Sequence, residues 1–140
     1  MAVLENIVVA EADLLKVRPD IGRYLQFEGQ TLDDVIATVK RAVYREVKAH
    51  EMNLYPGYLD AQIEARLVDV KDYANEEALK DRIVLLTVAD IMAANGLTDD
   101  AELYVRRARQ IPLHYWVDTD KDETISESER RSRRKVVFGR

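Results

Sequence analysis

Ile83-Val84-Leu85-Leu86-Thr87-Val88-Ala89-Asp90-Ile91-Met92-Ala93-Ala94 decides the fold. The stretch is apolar on nearly every side of a helix, and such a helix belongs at the centre of a bundle or against a neighbouring subunit. Its limits are written beside it. Asn75 suits an N-cap, Glu76 and Glu77 suit the positive end of the dipole, and Gly96 after Asn95 is a left-handed stop.

Upstream, Leu32, Val35, Ile36, Val39, Val43 and Val47 recur at spacings of three and four. That period predicts a helix with one apolar stripe from Thr31, its N-cap, to about Ala49. Earlier still, Ala12 to Val17 is a short periodic piece ended by Arg18-Pro19, because the residue before proline is pushed out of helical geometry. Ile21, Tyr24, Leu25 and Phe27 form an apolar strip that Gly29 closes.

Leu54-Tyr55-Pro56-Gly57-Tyr58 is turn chemistry, and Leu59, Ile63, Leu67 and Val70 then keep helical spacing as far as Tyr73. The alternation Leu67-Val68-Asp69-Val70 also permits a strand, but helix is the preferred expectation. Downstream, Asp99 with Glu102 is a capping signal for a last helix, ended or kinked by Pro112. Its inner face is Ala101, Tyr104, Val105 and Ala108, and its outer face carries Arg106, Arg107 and Arg109. The expected fold is mainly α: a small bundle of about four to five helices over residues 1–116, with an extended C-terminal arm over 117–140.

The 140 residues, 47% hydrophobic and 34% charged, are those of one globular domain that needs no metal or disulfide for its core. The absence of cysteine excludes a disulfide framework, a thiol nucleophile and thiolate metal sites. A net charge of −5 argues against a generic nucleic-acid binder. No apolar run approaches the roughly 20 residues of a membrane span, and the opening residues lack a basic secretory start, so a protein made and retained in the cytosol is expected.

The arm is polarised. Six acids and one lysine lie between Asp118 and Glu129, and five arginines with Lys135 lie between Arg130 and Arg140. Taken as a twelve-residue calcium loop, the acidic part puts Asp118, Asp120 and Asp122 at the first, third and fifth positions, a Thr124 carbonyl at the seventh and Glu129 at the twelfth. Alternating donors of that kind converge on one hard cation, Ca2+ or else Mg2+. Against this, Glu123 stands where the sharp turn normally demands glycine, and the basic exit has no apolar face for a paired helix. A solvated acidic turn paired with the arginines that follow is the other reading.

The basic residues Arg130, Arg131, Arg133 and Arg134 suit an acidic neighbouring subunit better than nucleic acid, because the acidic block separates them from the stacking aromatics Tyr115 and Trp116. Val136, Val137 and Phe138 form an apolar tip suited to a short strand added to something else. His50 and His114 have no ligand-like spacing, and Asp90, inside the apolar helix, is expected to be held by an ion pair or hydrogen bond with a helix arginine rather than to be a buried acid with a raised pKa. No Gly-x-Ser-x-Gly elbow, phosphate loop or triad is present, so binding or assembly rather than catalysis is expected, with no cofactor required.

The Asp13-Leu14-Leu15 entry helix, the Thr31-Leu32-Asp33-Asp34-Val35-Ile36 helix, the Leu79 to Ala94 core helix and the arm together resemble the head–tail connector, or adaptor, proteins of tailed bacteriophages. The resemblance implies a virion structural protein, synthesised in the host cytoplasm. It would form a homo-oligomeric ring, typically of about twelve copies, between the portal and the tail or neck proteins. It also implies that Arg106, Arg107, Arg109 and the arm from Arg130 to Arg140 are intersubunit or portal-facing surfaces; the composition and charge leave no membrane partner and only incidental contact with nucleic acid. A minimal connector does not require the acidic loop. The alternative is a calcium-binding interaction module with a single EF-hand-like loop.

Overall fold

The computed structural model describes residues 2–25, 29–68, 70–71, 76–117 and 134–136. Among them are α1 (Ala2–Asn6), α2 (Glu11–Val17), a 3-10 turn (Ile21–Tyr24), α3 (Leu32–Leu54), α4 (Asp60–Val68), β1 (Val70–Lys71), α5 (Glu76–Ala94), α6 (Thr98–Arg109), β2 (Leu113–Val117) and β3 (Arg134–Val136). The protein is mainly helical, a small bundle as the apolar periods predict, with four longer helices and two short ones leading into them.

At the centre lies α5, as its sequence requires. Leu79, Ile83, Val84, Val88, Ala89, Ile91 and Met92 are all buried. Their neighbours are α6, packed along it as a hairpin, and α2 and α3 on its other sides. Thr87 is fully buried too, and its hydroxyl is satisfied by donating to the Ile83 carbonyl at 2.7 Å. Each apolar side chain taken out of water here contributes about 1.5–3 kcal/mol before entropy is counted.

The predicted stripe on α3 is the buried one: Val35, Ile36, Val39, Val43 and Val47 face the core. Thr31 caps the helix reciprocally. The Asp34 amide donates to Thr31 Oγ1 at 3.3 Å, and the Thr31 amide donates to Asp34 Oδ2 at 2.8 Å. The helix continues past Ala49 to Leu54, because the every-four line through Val43 and Val47 extends to Glu51 and the chain leaves helical geometry only at Tyr55, before Pro56.

Three expectations are corrected. The helix beginning near Leu59 stops at Val68 instead of reaching Tyr73. The alternating valines instead place Val70 and Lys71 in β1, paired with Val117 and Trp116 of β2. The last helix is not capped by Asp99: the Gly96 turn (φ 78°) lets the Leu97 amide donate back to the Met92 carbonyl at 2.9 Å, so α6 starts at once at Thr98 with Leu97 at its N-cap. Asp90 is exposed at the surface, and no described cation pairs with it. Its carboxyl is held above its ordinary range by desolvation alone.

The three strands form an antiparallel sheet in the order β1-β2-β3. Leu113, His114 and Tyr115 lie opposite Val136, Lys135 and Arg134. The start of the apolar tip, Val136, therefore pairs within its own chain, whereas Val137 and Phe138 lie outside the described residues, as do Phe27 and Asn75.

The start of α2 carries a prediction. Ala10 has no side-chain acceptor, but its amide donates to Asp13 Oδ2 at 2.8 Å, and Lys80 lies 3.4 Å from Asp13 Oδ1. The Ala10 hydrogen bond, aided by Lys80, holds the Asp13 carboxyl below its ordinary value of 3.8. A depressed folded pKa contributes stability that is present above the unfolded value and lost as pH falls through the folded one. Asp13→Ala is expected to cost about 1 kcal/mol at neutral pH, with the gap from wild type closing in urea titrations as pH falls below 3.8.

Candidate functional site

Helix α6 buries Ala101, Tyr104 and Ala108 against α5 and leaves Arg106, Arg107 and Arg109 exposed in its last turn. Cations there suit the negative end of the helix dipole, which accounts for about 0.3–1 kcal/mol each. Two of them also line a surface cleft of about 460 Å³, whose walls are Thr98, Ala101, Glu102, Val105, Arg106 and Arg109. Arg107 points elsewhere, its guanidinium 5.6 Å from the centre of the Tyr104 ring.

A second cavity of about 150 Å³ shares the Val105 and Arg109 wall and runs inward where α3, α5 and α6 meet. Ala42, Val43 and Glu46 line it from α3, and Arg82 and Leu86 from α5. Arg82 is only 1% exposed. Desolvation pushes its guanidinium down to about 9, against the opposing pull of the Glu46 carboxylate. It is thus still a cation at neutral pH. The two spaces together form a cleft with arginines at its mouth and an arginine in its wall, over apolar side chains fixed by the core.

The opening of α6 is tied to the N-terminal segment through Arg18. Its guanidinium is 2.9 Å from Asp20 and 2.9 Å from Asp100, and stands over the Tyr24 ring at 5.6 Å. Burial works against its charge, but hydrogen bonds to Tyr104, Asp100 and Asp20 outweigh this and raise it above the ordinary arginine value. The start of the cleft wall is accordingly fixed by contacts within the chain.

A second surface lies at the α3–α4 hairpin. Tyr55 and Tyr58 stack with ring centres 5.1 Å apart, and Arg66 covers Tyr55 at 4.4 Å while its Nε lies 3.7 Å from the fully buried Glu51 carboxylate. Lys48 joins the two helices through Glu64 at 2.8 Å. Around this braced turn Met52, Leu54, Tyr58 and Leu59 are exposed, Leu59 at 73%. Four large apolar side chains are thus left in contact with solvent around one turn.

Of the residues singled out in sequence, Arg106 and Arg109 are brought together at the cleft, whereas Arg107 lies against Tyr104. Trp116 lies in β2, and Arg134 and Val136 lie in β3. Arg130, Arg131, Arg133, Val137 and Phe138 fall outside the described residues, and so do Asp118, Asp120, Asp122, Thr124 and Glu129 of the acidic loop. Among the described residues no group of His, Asp and Glu is clustered to hold a metal ion. His50 sits within α3 and His114 within β2.

Arg82 and the hairpin tip were missed in sequence. The signal for Arg82 was its place three residues after Leu79, on the buried side of α5; that for Glu51 was its place four after Val47. No family model, curated protein or solved structure matches the chain.

Proposed function

We propose that this protein is a virion structural subunit, a head–tail connector that forms a homo-oligomeric ring between portal and tail proteins. The observation that carries the proposal is the arginine-bearing cleft on the braced α5–α6 hairpin. It is a preformed, charged docking surface on a rigid helical body, and a ring subunit needs such a surface on each side. The exposed hairpin tip supplies a second, apolar one. No helix among the described residues is long and apolar enough to cross a membrane. The sequence resemblance to phage connectors supplies the assembly in which these surfaces would work.

Light scattering on the size-fractionated protein tests this. The molar mass is expected to rise with concentration toward one closed oligomer, or to do so once a portal ring is added. A mass fixed at 16.1 kDa under both conditions counts against a ring.

The spacing of Asp118, Asp120, Asp122 and Glu129 supports a second reading, a calcium-responsive interaction module. Titration calorimetry with calcium would then give heat that Asp120→Ala and Glu129→Gln abolish. Identical flat traces for all three proteins would end that reading.

A further inference from the structure

The cleft side of α6 has a spacing that is the same from either end. Thr98, Glu102, Val105 and Arg109 follow one another at four, three and four residues, the row on which helices pack against each other, with Ala101 and Arg106 flanking it on opposite sides. Reversing the helix end for end carries this set onto itself: Thr98 falls where Arg109 was, Ala101 where Arg106 was, and Glu102 where Val105 was. A second α6 laid antiparallel thus matches the face over its whole length, about 16 Å at roughly 1.5 Å per residue.

The pairs so formed are complementary. On α6 the acids Asp99, Asp100 and Glu102 all precede the arginines Arg106, Arg107 and Arg109, so antiparallel helices set the acidic half of each beside the basic half of the other. Parallel helices would set like on like. The helix dipole favours that order of charges but is indifferent to the side on which they stand, and Glu102, Arg106 and Arg109 stand together, exposed, on the cleft side. Shape agrees with charge. Ala101 is buried and leaves room opposite it for the long Arg106 side chain of a second copy, whose guanidinium fork then lies beside Glu102. Little has to be ordered on pairing, because α6 is already held by Ala101, Tyr104 and Ala108 against α5 and by Arg18 on Asp100.

We infer that two copies of this chain pair through α6, antiparallel about a two-fold axis between Leu103 and Tyr104, with Glu102 of each set against Arg106 and Arg109 of the other. Such a contact is isologous and closes at two copies. It goes beyond the connector proposal and stands without it, since successive members of a ring are joined by a different, head-to-tail contact.

The chain has no cysteine, so engineered thiols report the pairing directly. Full-length Thr98→Cys and Arg109→Cys proteins, each changed at an exposed position, are oxidised separately and as an equimolar mixture, and the disulfide-linked dimer is measured on non-reducing gels. The mixture is expected to give at least tenfold more dimer than either protein alone, because the two-fold sets residue 98 of one copy opposite residue 109 of the other. A larger yield from Thr98→Cys alone means parallel helices and overturns the inference. Equal yields from all three samples also overturn it, and where the protein stands as rings they leave the connector proposal intact.

A second measurement reads the charges. Glu102→Arg makes the charged residues of this face all basic, and Arg106→Glu with Arg109→Glu makes them all acidic. Thermal melts by circular dichroism confirm that each protein folds. In sedimentation velocity each variant alone is expected to dimerise at least tenfold more weakly than wild type, and their equimolar mixture at least as tightly as wild type, since every charged contact then joins opposite signs. Undiminished pairing of either variant alone, a mixture that stays apart, or a wild type that remains monomeric at every concentration overturns the inference.

Discussion

Arg66→Ala is expected to lower the unfolding free energy by about 3 kcal/mol, the cost of removing one partner from a buried ion pair, and so to lower Tm by roughly 10 °C. The Glu51 carboxylate is fully buried, whereas Arg66 remains 22% exposed at its side chain. Removing the arginine therefore takes one ion-pair partner from the carboxylate that is shielded from solvent. The same substitution strips the cation from the face of Tyr55 and loosens the stacked Tyr55–Tyr58 turn. Two controls separate these effects. Arg66→Lys keeps the charge but loses the planar stacking, and is expected to cost about 1 kcal/mol. The double replacement Glu51→Leu with Arg66→Met removes both charges of the pair, and is expected to be less destabilised than Arg66→Ala. Urea unfolding of the four proteins measures this, and a loss below about 1 kcal/mol for Arg66→Ala would show that the pair does not brace the hairpin.

Ile83→Ala is expected to cost about 3–4 kcal/mol, the range for a large aliphatic side chain truncated in a core that cannot collapse around the gap. Ile83 has no exposed surface and lies on the central helix, which packs against α6, α3 and α2. Asp81→Ala, on the exposed side of the same helix, is the matched control and is expected to change stability by less than about 0.5 kcal/mol. Similar losses for the two would mean that α5 is not the centre of the bundle.

The central helix and the α3 stripe were legible because burial imposes a period on the apolar residues, and Val35, Val39, Val43 and Val47 obey it without exception. Thr31 and Gly96 were legible for a different reason, since the backbone geometry at a helix end selects few side chains. The end of α4 was not. Leu67-Val68-Asp69-Val70 satisfies both periods over four residues, and the choice between them falls to β2, more than forty residues away in sequence. Asp99 looked like a cap because local chemistry allows it; the preceding turn, closed by Leu97 on Met92, had already fixed where α6 begins.

The functional surface divides along the same line. Arginines on the polar face of α6 can be counted in the sequence. That Arg82 meets them across a cleft depends on how α3, α5 and α6 cross, which no spacing within one helix encodes. Likewise the apolar tip at Leu54, Tyr58 and Leu59 looks like ordinary core material until the hairpin turns it outward.

The claim that most needs testing is that this chain builds a ring. Negative-stain images of the purified protein, alone and with a portal ring, test it directly. Annular particles of uniform diameter with a central channel are the expected result, either free or stacked on the portal. Fields of single small particles at every concentration, with portal rings left bare, would contradict it.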